Sequence, residues 1–288
     1  MKPTQIKFAQ LKKNLKKMGK VLIAFSGGVD SSFLLKVALD TLGEENILAV
    51  TANSETYPGE ELKYASNLAK DLGLDGKHRT IKTSELKLKN FSENPQDRCY
   101  YCKFELFSKL KKIAQKNKIS YVLDGSNYSD RKDFRPGRKA LTELGIRSPL
   151  LESGLTKEEI RALSKKLKLP TWNKPALACL SSRIPYGEKI TLEKLKRIEK
   201  AESFLKNLGF NQLRVRDHNN IARLELEPEE FKKLADVRLW RIRKKIYDKF
   251  RGLGFTYVTL DLLGYRTGSM NEILSTVRQK ADKFGKRR

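Results

Sequence analysis

Short apolar runs alternate with segments of helical period through the first half of the chain. Val21 to Phe25 is almost wholly apolar, which is typical of a strand buried on both faces of a sheet. The runs 47–52 and 121–123 have the same pattern, and 78–82 and 148–151 resemble it less closely. Between them the period predicts helices at 31–42, 59–72, 101–117, 137–145 and 157–167. This alternation predicts an α/β fold, a parallel sheet with helices on both faces.

The pattern changes near residue 185. Residues 191–208 predict a long amphipathic helix, and 212–217 with 221–227 predict a hairpin around Asn219 and Asn220. A basic helix over 229–252 and a strand over 256–260 follow, a set typical of helices with antiparallel strands. We therefore expect two domains, an α/β domain over residues 1–185 and a smaller α+β domain over 186–288.

Composition narrows the classes of function. Hydrophobic residues make up 39% of the 288 positions, enough for a buried core, yet no run of about 18 apolar residues indicates a membrane span. The first residues lack the apolar core of a signal peptide, so we expect a cytoplasmic protein with no membrane partner. The net charge of +26 favours anionic partners. We expect an anionic small molecule, a nucleotide or another phosphorylated substrate, and nucleic acid stays open as the less favoured alternative.

The most specific motif follows the first apolar run and opens a predicted helix. Gly27 and Gly28 permit a tight turn and a close approach of backbone to an anion. The free N–H groups of the helix start favour phosphate, and Asp30 suits a Mg²⁺ ion between itself and the phosphates. The alternative is a plain glycine turn with a serine-capped helix. The candidate residues for phosphate and Mg²⁺ are Ser26, Gly27, Gly28, Asp30, Ser31 and Ser32.

Two later segments are expected beside this turn. Thr51 and Ala52 end the second apolar run, where folds of this kind bind adenine and ribose. Gly125 follows the third run and lets a nucleotide lie against backbone, and Arg135 is a candidate phosphate ligand. The alternative for the segment from 124 to 137 is a polar loop before a helix.

Three cysteines carry further chemistry. Cys99 and Cys102 form a C-x-x-C motif at a predicted helix start, where the helix dipole and the neighbouring Arg98 and Lys103 favour thiolates. The third is Cys179, and an odd number argues against a disulfide framework. The residues alone leave three possibilities open. They are a 4Fe-4S cluster on three thiolates with one open iron position, a redox pair with Cys179 as lone nucleophile, or three inert thiols.

Arg214 and Arg216 are two positions apart on a predicted strand, so both side chains are expected on one face. Paired guanidinium groups suit phosphate or carboxylate recognition, which makes the two arginines candidate substrate ligands. The alternative is an exposed basic strand.

The segment 26–32 resembles the SGGxDS loop of the PP-loop superfamily, the N-type ATP pyrophosphatases. The resemblance covers residues from about 20 to 185. It implies a nucleotide-binding α/β domain that cleaves ATP between the α and β phosphates and leaves AMP on a carbonyl or carboxylate of the substrate.

Segments 98–102, 175–183 and 214–216 add a resemblance to the LarE family, ATP-dependent sulfur transferases of nickel-pincer nucleotide cofactor synthesis. This resemblance implies a pyridinium mononucleotide substrate whose two ring carboxylates become thiocarboxylates. It also implies Arg214 and Arg216 as substrate ligands, and Glu202, Asp30 and Cys179 as catalytic residues.

The resemblance bears on the sulfur source too. In LarE proteins with one cysteine, the residue at the position of Cys179 gives up its sulfur and becomes dehydroalanine. Members with an additional C-x-x-C are similar to this chain and imply a 4Fe-4S cluster on Cys99, Cys102 and Cys179 whose extra sulfide is transferred. The chain departs from the sacrificial pattern. A homo-oligomer is also expected.

Two other functions stay open. A PP-loop tRNA thiolase can use three cysteines and a cluster, and the positive charge favours it, but the sequence shows no recognisable added RNA-binding module or zinc ribbon. A sensor of nucleotide or metal without catalytic activity is the second alternative.

Overall fold

A computed structural model of the chain describes residues 3–132, 136–175, 178–235 and 240–272. It forms two compact units, the first comprising Met1–Phe91 and Pro95–Leu177 and the second comprising Ser92–Asn94 and Ala178–Arg288. Asn94 belongs with the second unit because its side-chain amide donates hydrogen bonds to the carbonyls of Ile184, Pro185 and Glu188. Residues 178–185 therefore cluster with the C-terminal elements.

The first unit is built on a parallel sheet. Its strands are β1 (Val21–Ala24), β2 (Ile47–Asn53), β3 (His78–Lys82) and β4 (Tyr121–Leu123), in the order β3-β2-β1-β4. Strand β1 is central, since Val21 pairs with Ile47 on one side and with Tyr121 on the other. The predicted α/β fold is confirmed, and the less clear strand at 78–82 is present.

Helices surround this sheet and connect its strands. Up to residue 166 they are α1 (Pro3–Met18), α2 (Val29–Leu42), α3 (Gly59–Asp71), α4 (Lys89–Ser92), α5 (Arg98–Lys116), α6 (Gly137–Glu143), α7 (Pro149–Glu152) and α8 (Lys157–Lys166).

Alternate residues of the strands enter two separate cores. Val21 and Ile23 face a core that also contains apolar residues of α1, α2, α3 and α8. Leu22, between them, faces a second core with Phe107 and Leu110 of α5. Successive side chains of a strand point to opposite faces, so helices cover both faces of the sheet. This explains why β1 is apolar at nearly every position.

The predicted strand at 148–151 is wrong. Residues Pro149–Glu152 form the short helix α7, and the only sheet contact in the described part of this segment is a single bridge between Arg147 and Leu123. Pro149 has no N–H to donate to a sheet and is favourable at the first position of a helix. The Glu152 carboxylate also accepts two hydrogen bonds from Arg147, which closes the turn.

Helix α1 was not predicted, because its many lysines hide its apolar positions. Leu11, Leu15 and Met18 are buried and α1 packs against α2, while the lysines lie toward solvent. The spacing of these three residues is the i, i+4, i+7 pattern of one helix face.

The second unit is a mixed sheet covered by helices. The helix α9 (Leu192–Asn207) precedes an antiparallel hairpin of β5 (Leu213–His218) and β6 (Ile221–Leu226). Asn219 in the hairpin turn has a φ of 58°, a left-handed conformation that asparagine tolerates. Strand β7 (Tyr257–Leu260) pairs with β6 in parallel, so the expectation of antiparallel strands holds only for the hairpin.

Two helices lie where one basic helix was predicted over 229–252. They are α10 (Pro228–Ala235) and α11 (Trp240–Gly252), and residues 236–239 lie outside the described part of the chain. Every second side chain of β5 and β6 is buried against α9 and α11, as Val215 and Leu224 show. No helix among the described residues is long and apolar enough to cross a membrane.

We expect Leu15→Ala to lower the free energy of unfolding by about 2–5 kcal/mol, because it leaves a cavity between α1 and α2. Ile6→Ala is the matched control, since Ile6 lies on the same helix and is 56% exposed. Urea unfolding of both variants measures the difference. A loss in Leu15→Ala as small as the loss in Ile6→Ala would show that the buried face of α1 does not contribute to the core.

Candidate functional site

The glycine turn lies at the carboxyl end of β1 and at the start of α2. Gly27 has a φ of 66°, and a Cβ atom there would lie 2.9 Å from the Cβ and 3.0 Å from the Cα of Ala65 on α3. Real Cβ atoms do not approach other atoms so closely, so only glycine fits without a backbone shift. The turn is therefore set by its close packing on α3 as well as by its conformation.

Hydrogen bonds of serine hydroxyls stabilise the conformation of the turn. The Ser31 hydroxyl lies 3.0 Å from that of Ser26 and accepts a hydrogen bond from the Ser26 N–H. It also donates to the Gly28 carbonyl. Ser32 is fully buried, whereas Ser26 is exposed. Of the three predicted hydroxyl donors, Ser26 is the one open to a ligand, and Ser31 shapes the turn.

Two side chains hold the turn from outside. The Tyr57 hydroxyl donates to the carbonyl of Ser26 at 2.5 Å, and Lys174 Nζ donates to the carbonyl of Gly27 at 3.2 Å. Because the C=O and N–H of a trans peptide point in opposite directions, the amides of Gly27 and Gly28 point away from these donors. Burial and then the charge of Glu61 raise the pKa of Tyr57, so its hydroxyl remains a donor. No sequence motif marks Tyr57 or Lys174, because both reach the turn from distant positions, 31 and 147 residues away.

Asp30 lies in the first turn of α2. One of its carboxylate oxygens, Oδ2, is 2.6 Å from Lys157 Nζ, and the other, Oδ1, is buried and makes no hydrogen bond in the described structure. An unpaired buried carboxylate oxygen is costly unless a cation or donor reaches it. Mg²⁺ is commonly held by one or two carboxylates together with substrate phosphates. The orphaned oxygen therefore fits the predicted Mg²⁺.

The ends of β2 and β4 lie beside this turn. The Thr51 hydroxyl donates to the Phe25 carbonyl at 2.8 Å and lies 2.8 Å from His78 Nε2, and burial lowers the pKa of that histidine. Thr51 is buried, so its side chain joins two strands, while Ala52 is half-buried.

Gly125 packs directly on the start of α2. A Cβ on Gly125 would lie 3.2 Å from the Ser31 N atom, tighter than ordinary contact. Its lack of a side chain therefore allows the loop after β4 to reach the glycine turn. The candidate phosphate ligand Arg135 lies outside the described residues.

The C-x-x-C motif occupies the first turns of α5. Cys99 is exposed and Cys102 is half-buried. The next residue, Lys103, places its ammonium 3.4 Å from the carboxylate of Asp124, which is buried at the end of β4. Asp124 also accepts hydrogen bonds from Ser126 and Ser148. A network of hydrogen bonds thus connects the cysteine helix to the loop that carries Gly125.

Cys179, in the second unit, is half-buried and precedes a 3₁₀ turn at Leu180–Arg183. Arg183 is 1% exposed and donates to the carbonyls of Ala178 and Cys179 at 2.8 and 3.1 Å. It also makes two parallel bonds of 2.9 Å to the carboxylate of Glu202 on α9. The backbone at Cys179 is therefore held by a buried ion pair.

Glu202 faces inward rather than toward solvent. Burial raises the pKa of its carboxyl, but the charge and hydrogen bonds of Arg183 outweigh this and hold the pKa below its usual value. One oxygen also accepts a bond from the Val215 N–H. Glu202 is therefore an ionised partner of Arg183 in this structure.

Arg214 and Arg216 share the sheet face opposite the apolar core of the second unit. Arg216 is buried and donates to the Ser182 carbonyl, to Glu225 and to the Ser269 hydroxyl. Arg214 is half-buried over the ring of Tyr265, and burial lowers the pKa of its guanidinium. These contacts are inconsistent with an exposed basic strand at Arg216.

The three cysteines are divided between the units, with Cys99 and Cys102 in the first and Cys179 in the second. Among the residues that the structure describes, no group of three or more Cys, His, Asp or Glu side chains is arranged to hold a metal ion.

The parallel sheet, the glycine turn after its central strand and the helix that starts there define an α/β nucleotide-binding protein of the PP-loop class. Comparison with known proteins agrees, because residues 5–99 match the family model described as NAD synthase.

Relatives over nearly the whole length define the family more closely. The chain is 43% identical over 270 residues to the pyridinium-3,5-bisthiocarboxylic acid mononucleotide synthase of Lactiplantibacillus plantarum, covering 93% of this chain and 95% of the relative. Uncharacterised proteins of Synechocystis (45% over 93% of this chain and 98% of the relative) and Methanocaldococcus jannaschii (33% over 91% and 98%) also match. The chain belongs to the LarE family of ATP-dependent PP-loop enzymes.

We expect Gly27→Ala to lower the free energy of unfolding by about 1–3 kcal/mol more than Gly19→Ala, because the new methyl group overpacks against Ala65. Gly19 has a φ of 67°, and a Cβ atom there would have nothing within 4 Å, so it reproduces the conformational strain without the clash. Urea unfolding compares the two. Equal losses would contradict the close packing as the reason for glycine.

Arg183→Met is expected to cost about 3–5 kcal/mol of unfolding free energy, because it leaves the Glu202 carboxylate buried without its partner. In the control Lys244→Met, which removes an exposed pair with Asp248 on α11, we expect a loss below about 1 kcal/mol. Chemical denaturation measures both. Similar small losses would mean that the buried pair does not hold the Cys179 turn.

Proposed function

We propose that the protein is an ATP-dependent sulfur transferase that converts carboxylates of a pyridinium mononucleotide to thiocarboxylates. The observation that carries the proposal is the glycine turn beside the orphaned Asp30 oxygen, a place for Mg²⁺ and phosphate at the start of α2. The name of the Lactiplantibacillus relative supports the choice of substrate. Membership of the LarE family supports the further proposal that this reaction belongs to the synthesis of a nickel-pincer nucleotide cofactor.

ATP would bind along the first unit. The amides of Gly27 and Gly28 point away from Tyr57 and Lys174 and are the proposed phosphate donors. Asp30 would hold Mg²⁺, which lowers the cost of charge that builds on the phosphates. The remaining proposed contacts to the nucleotide are Ser26, Ala52, Gly125 and Arg135, whereas the buried Ser31, Ser32 and Thr51 are proposed to shape the site rather than to touch the nucleotide.

The first step is transfer of AMP. A carboxylate oxygen of the substrate attacks the α-phosphorus. The bond between the α-phosphorus and the oxygen that bridges to the β-phosphorus breaks, and pyrophosphate leaves with the electron pair of that bond. The donors at the start of α2 stabilise the developing negative charge. The carboxylate is thereby turned into an acyl adenylate with a good leaving group.

The second step forms the carbon–sulfur bond. Sulfur at the oxidation level of sulfide attacks the acyl carbon, AMP leaves with the electron pair of the C–O bond, and a thiocarboxylate remains. No net oxidation or reduction occurs in this exchange. Arg214 and Arg216 are the proposed ligands of the substrate's anionic groups, and their buried, oriented guanidinium groups suit that role.

The cysteines are the proposed source or carriers of sulfur. Cys179 is the proposed point of delivery, and we infer that Glu202 acts through Arg183, by fixing the backbone at Cys179. A 4Fe-4S cluster on Cys99, Cys102 and Cys179 remains our proposal for the sulfur source, supported by the C-x-x-C at a helix start. Such a cluster would supply sulfide.

The function is tested with protein purified without oxygen, ATP, Mg²⁺ and the dicarboxylated pyridinium mononucleotide. We expect AMP and pyrophosphate in equal amounts and replacement of substrate oxygen by sulfur in the mass spectrum. Asp30→Asn should reduce pyrophosphate release about 100-fold, because the metal contributes several kcal/mol to the transition state. Asp40→Asn is the control. Like Asp30, Asp40 lies on α2 and pairs with a lysine, but it is far from the glycine turn.

Two results would reject parts of the proposal. Absence of AMP and pyrophosphate with this substrate would reject the sulfur transferase. Full sulfur transfer by protein without iron and acid-labile sulfide would reject the cluster as the sulfur source and leave a cysteine sulfur in its place.

A further inference from the structure

We propose that Tyr265 is a positioning residue, whose aromatic ring holds Arg214 in the orientation that binds an anionic group of the substrate. The ring orients the guanidinium group without adding a negative charge beside it. The inference rests on the proposed function, because it deepens the role given there to Arg214.

Tyr265 contacts Arg214 in two ways. The guanidinium carbon of Arg214 lies 5.0 Å from the centre of the Tyr265 ring, and Arg214 Nη2 lies 3.4 Å from the Tyr265 hydroxyl oxygen. A cation within about 6 Å of an aromatic face is attracted by the negative charge of that face. The distance to the hydroxyl is longer than that of an ordinary hydrogen bond. The ring therefore makes the stronger of the two contacts.

The backbone that carries the ring is fixed on the end of β6. The Tyr265 N–H donates to the Leu226 carbonyl at 2.8 Å. The preceding residue, Gly264, has a φ of 67°, and a Cβ atom there would lie only 2.5 Å from the same carbonyl oxygen. Only glycine therefore allows the loop after β7 to close on β6. The ring thus projects from an anchored segment, as a positioning role requires.

The same loop also contacts the second substrate arginine, Arg216. The Ser269 hydroxyl accepts a hydrogen bond from Arg216 Nη2 at 2.9 Å and donates to Glu225 at 2.8 Å. Glu225 itself pairs with Arg216 at 2.7 Å, so a carboxylate balances the charge of that arginine. The ring and hydroxyl of Tyr265 carry no net charge. Tyr265 therefore orients Arg214 and leaves its positive charge to act on a ligand.

The surroundings of Arg214 make an attractive contact necessary. Burial and then the charge of Arg183 lower the pKa of its guanidinium, although an arginine stays protonated in proteins. Repulsion between the two guanidinium groups favours any orientation of Arg214 that separates them. The Tyr265 ring opposes this and selects one orientation before the substrate arrives. A ligand then binds without the cost of ordering the side chain.

Calorimetric titration with the dicarboxylated pyridinium mononucleotide tests the role of the ring. Tyr265→Phe keeps the ring and should bind within about twofold of the unchanged protein. Tyr265→Met fills similar space without a ring and should bind about fivefold more weakly, equivalent to about 1 kcal/mol.

A fluorinated ring separates charge from packing. Trifluorophenylalanine at position 265 keeps the shape of phenylalanine, but its fluorine atoms withdraw negative charge from the ring face. It should bind the substrate about fivefold more weakly than Tyr265→Phe. A purely structural ring would show no such difference, and this comparison also stands if Tyr265→Met fails to fold.

Combined variants show whether Tyr265 acts through Arg214. Arg214→Gln should weaken substrate binding more than Tyr265→Met does. The double variant should bind no more weakly than Arg214→Gln alone, because the ring then has no guanidinium to orient. Tyr257→Met is the matched control, since Tyr257 lies on β7 and is 62% exposed, and it should leave the affinity unchanged. Urea unfolding measures the stability of each variant.

The outcomes separate this proposal from the one on which it rests. If Arg214→Gln weakens binding but Tyr265→Met and the fluorinated ring do not, the positioning role is wrong and the substrate site stands. Losses from Tyr265→Met and Arg214→Gln that add in full would also reject that role. If the unchanged protein does not bind the mononucleotide, the proposed substrate is wrong and the inference with it.

Discussion

The close approach of Gly27 to Ala65 is the contact on which the nucleotide site depends. It brings the turn after β1 against α3 and fixes where the start of α2 lies. Tyr57 and Lys174 then bind the outward carbonyls, which turns the neighbouring amides toward the ligand side. Preorganised amides need no rearrangement when phosphate arrives, which is the physical basis of anion binding.

In the second unit, the turn at Cys179 is held by a buried ion pair rather than by close packing. A buried arginine, Arg183, binds two backbone carbonyls next to Cys179 and is itself neutralised by Glu202. Desolvation makes such a pair of little net value for stability, yet breaking it leaves a buried charge. The pair therefore specifies one conformation of the cysteine turn. A glutamate that the family resemblance marked as functional thus has a structural explanation in this chain.

Strands and helices were predicted correctly where a few consecutive residues favour one structure. They were predicted wrongly where contacts with distant parts of the chain determine the structure. The apolar runs at 21–25 and 47–52 are strands because few other structures bury every position. The run at 148–151 is less apolar, since it begins with Ser148 and Pro149, and because Pro149 cannot donate to a sheet the segment becomes a helix turn. Helix α1 was hidden because its lysines dilute the apolar face, and the parallel pairing of β7 depends on where the preceding helix returns the chain.

The sequence by itself determined the PP-loop class, the glycine turn, Asp30 and the C-x-x-C at a helix start, since each is a preference of a few consecutive residues. Only the tertiary structure decided which distant side chains meet them. Lys157 reaches Asp30 across 127 positions, and Lys174 reaches Gly27 across 147. Such pairings follow from how helices pack on the sheet, and that packing is a cooperative property of two cores that no short segment encodes.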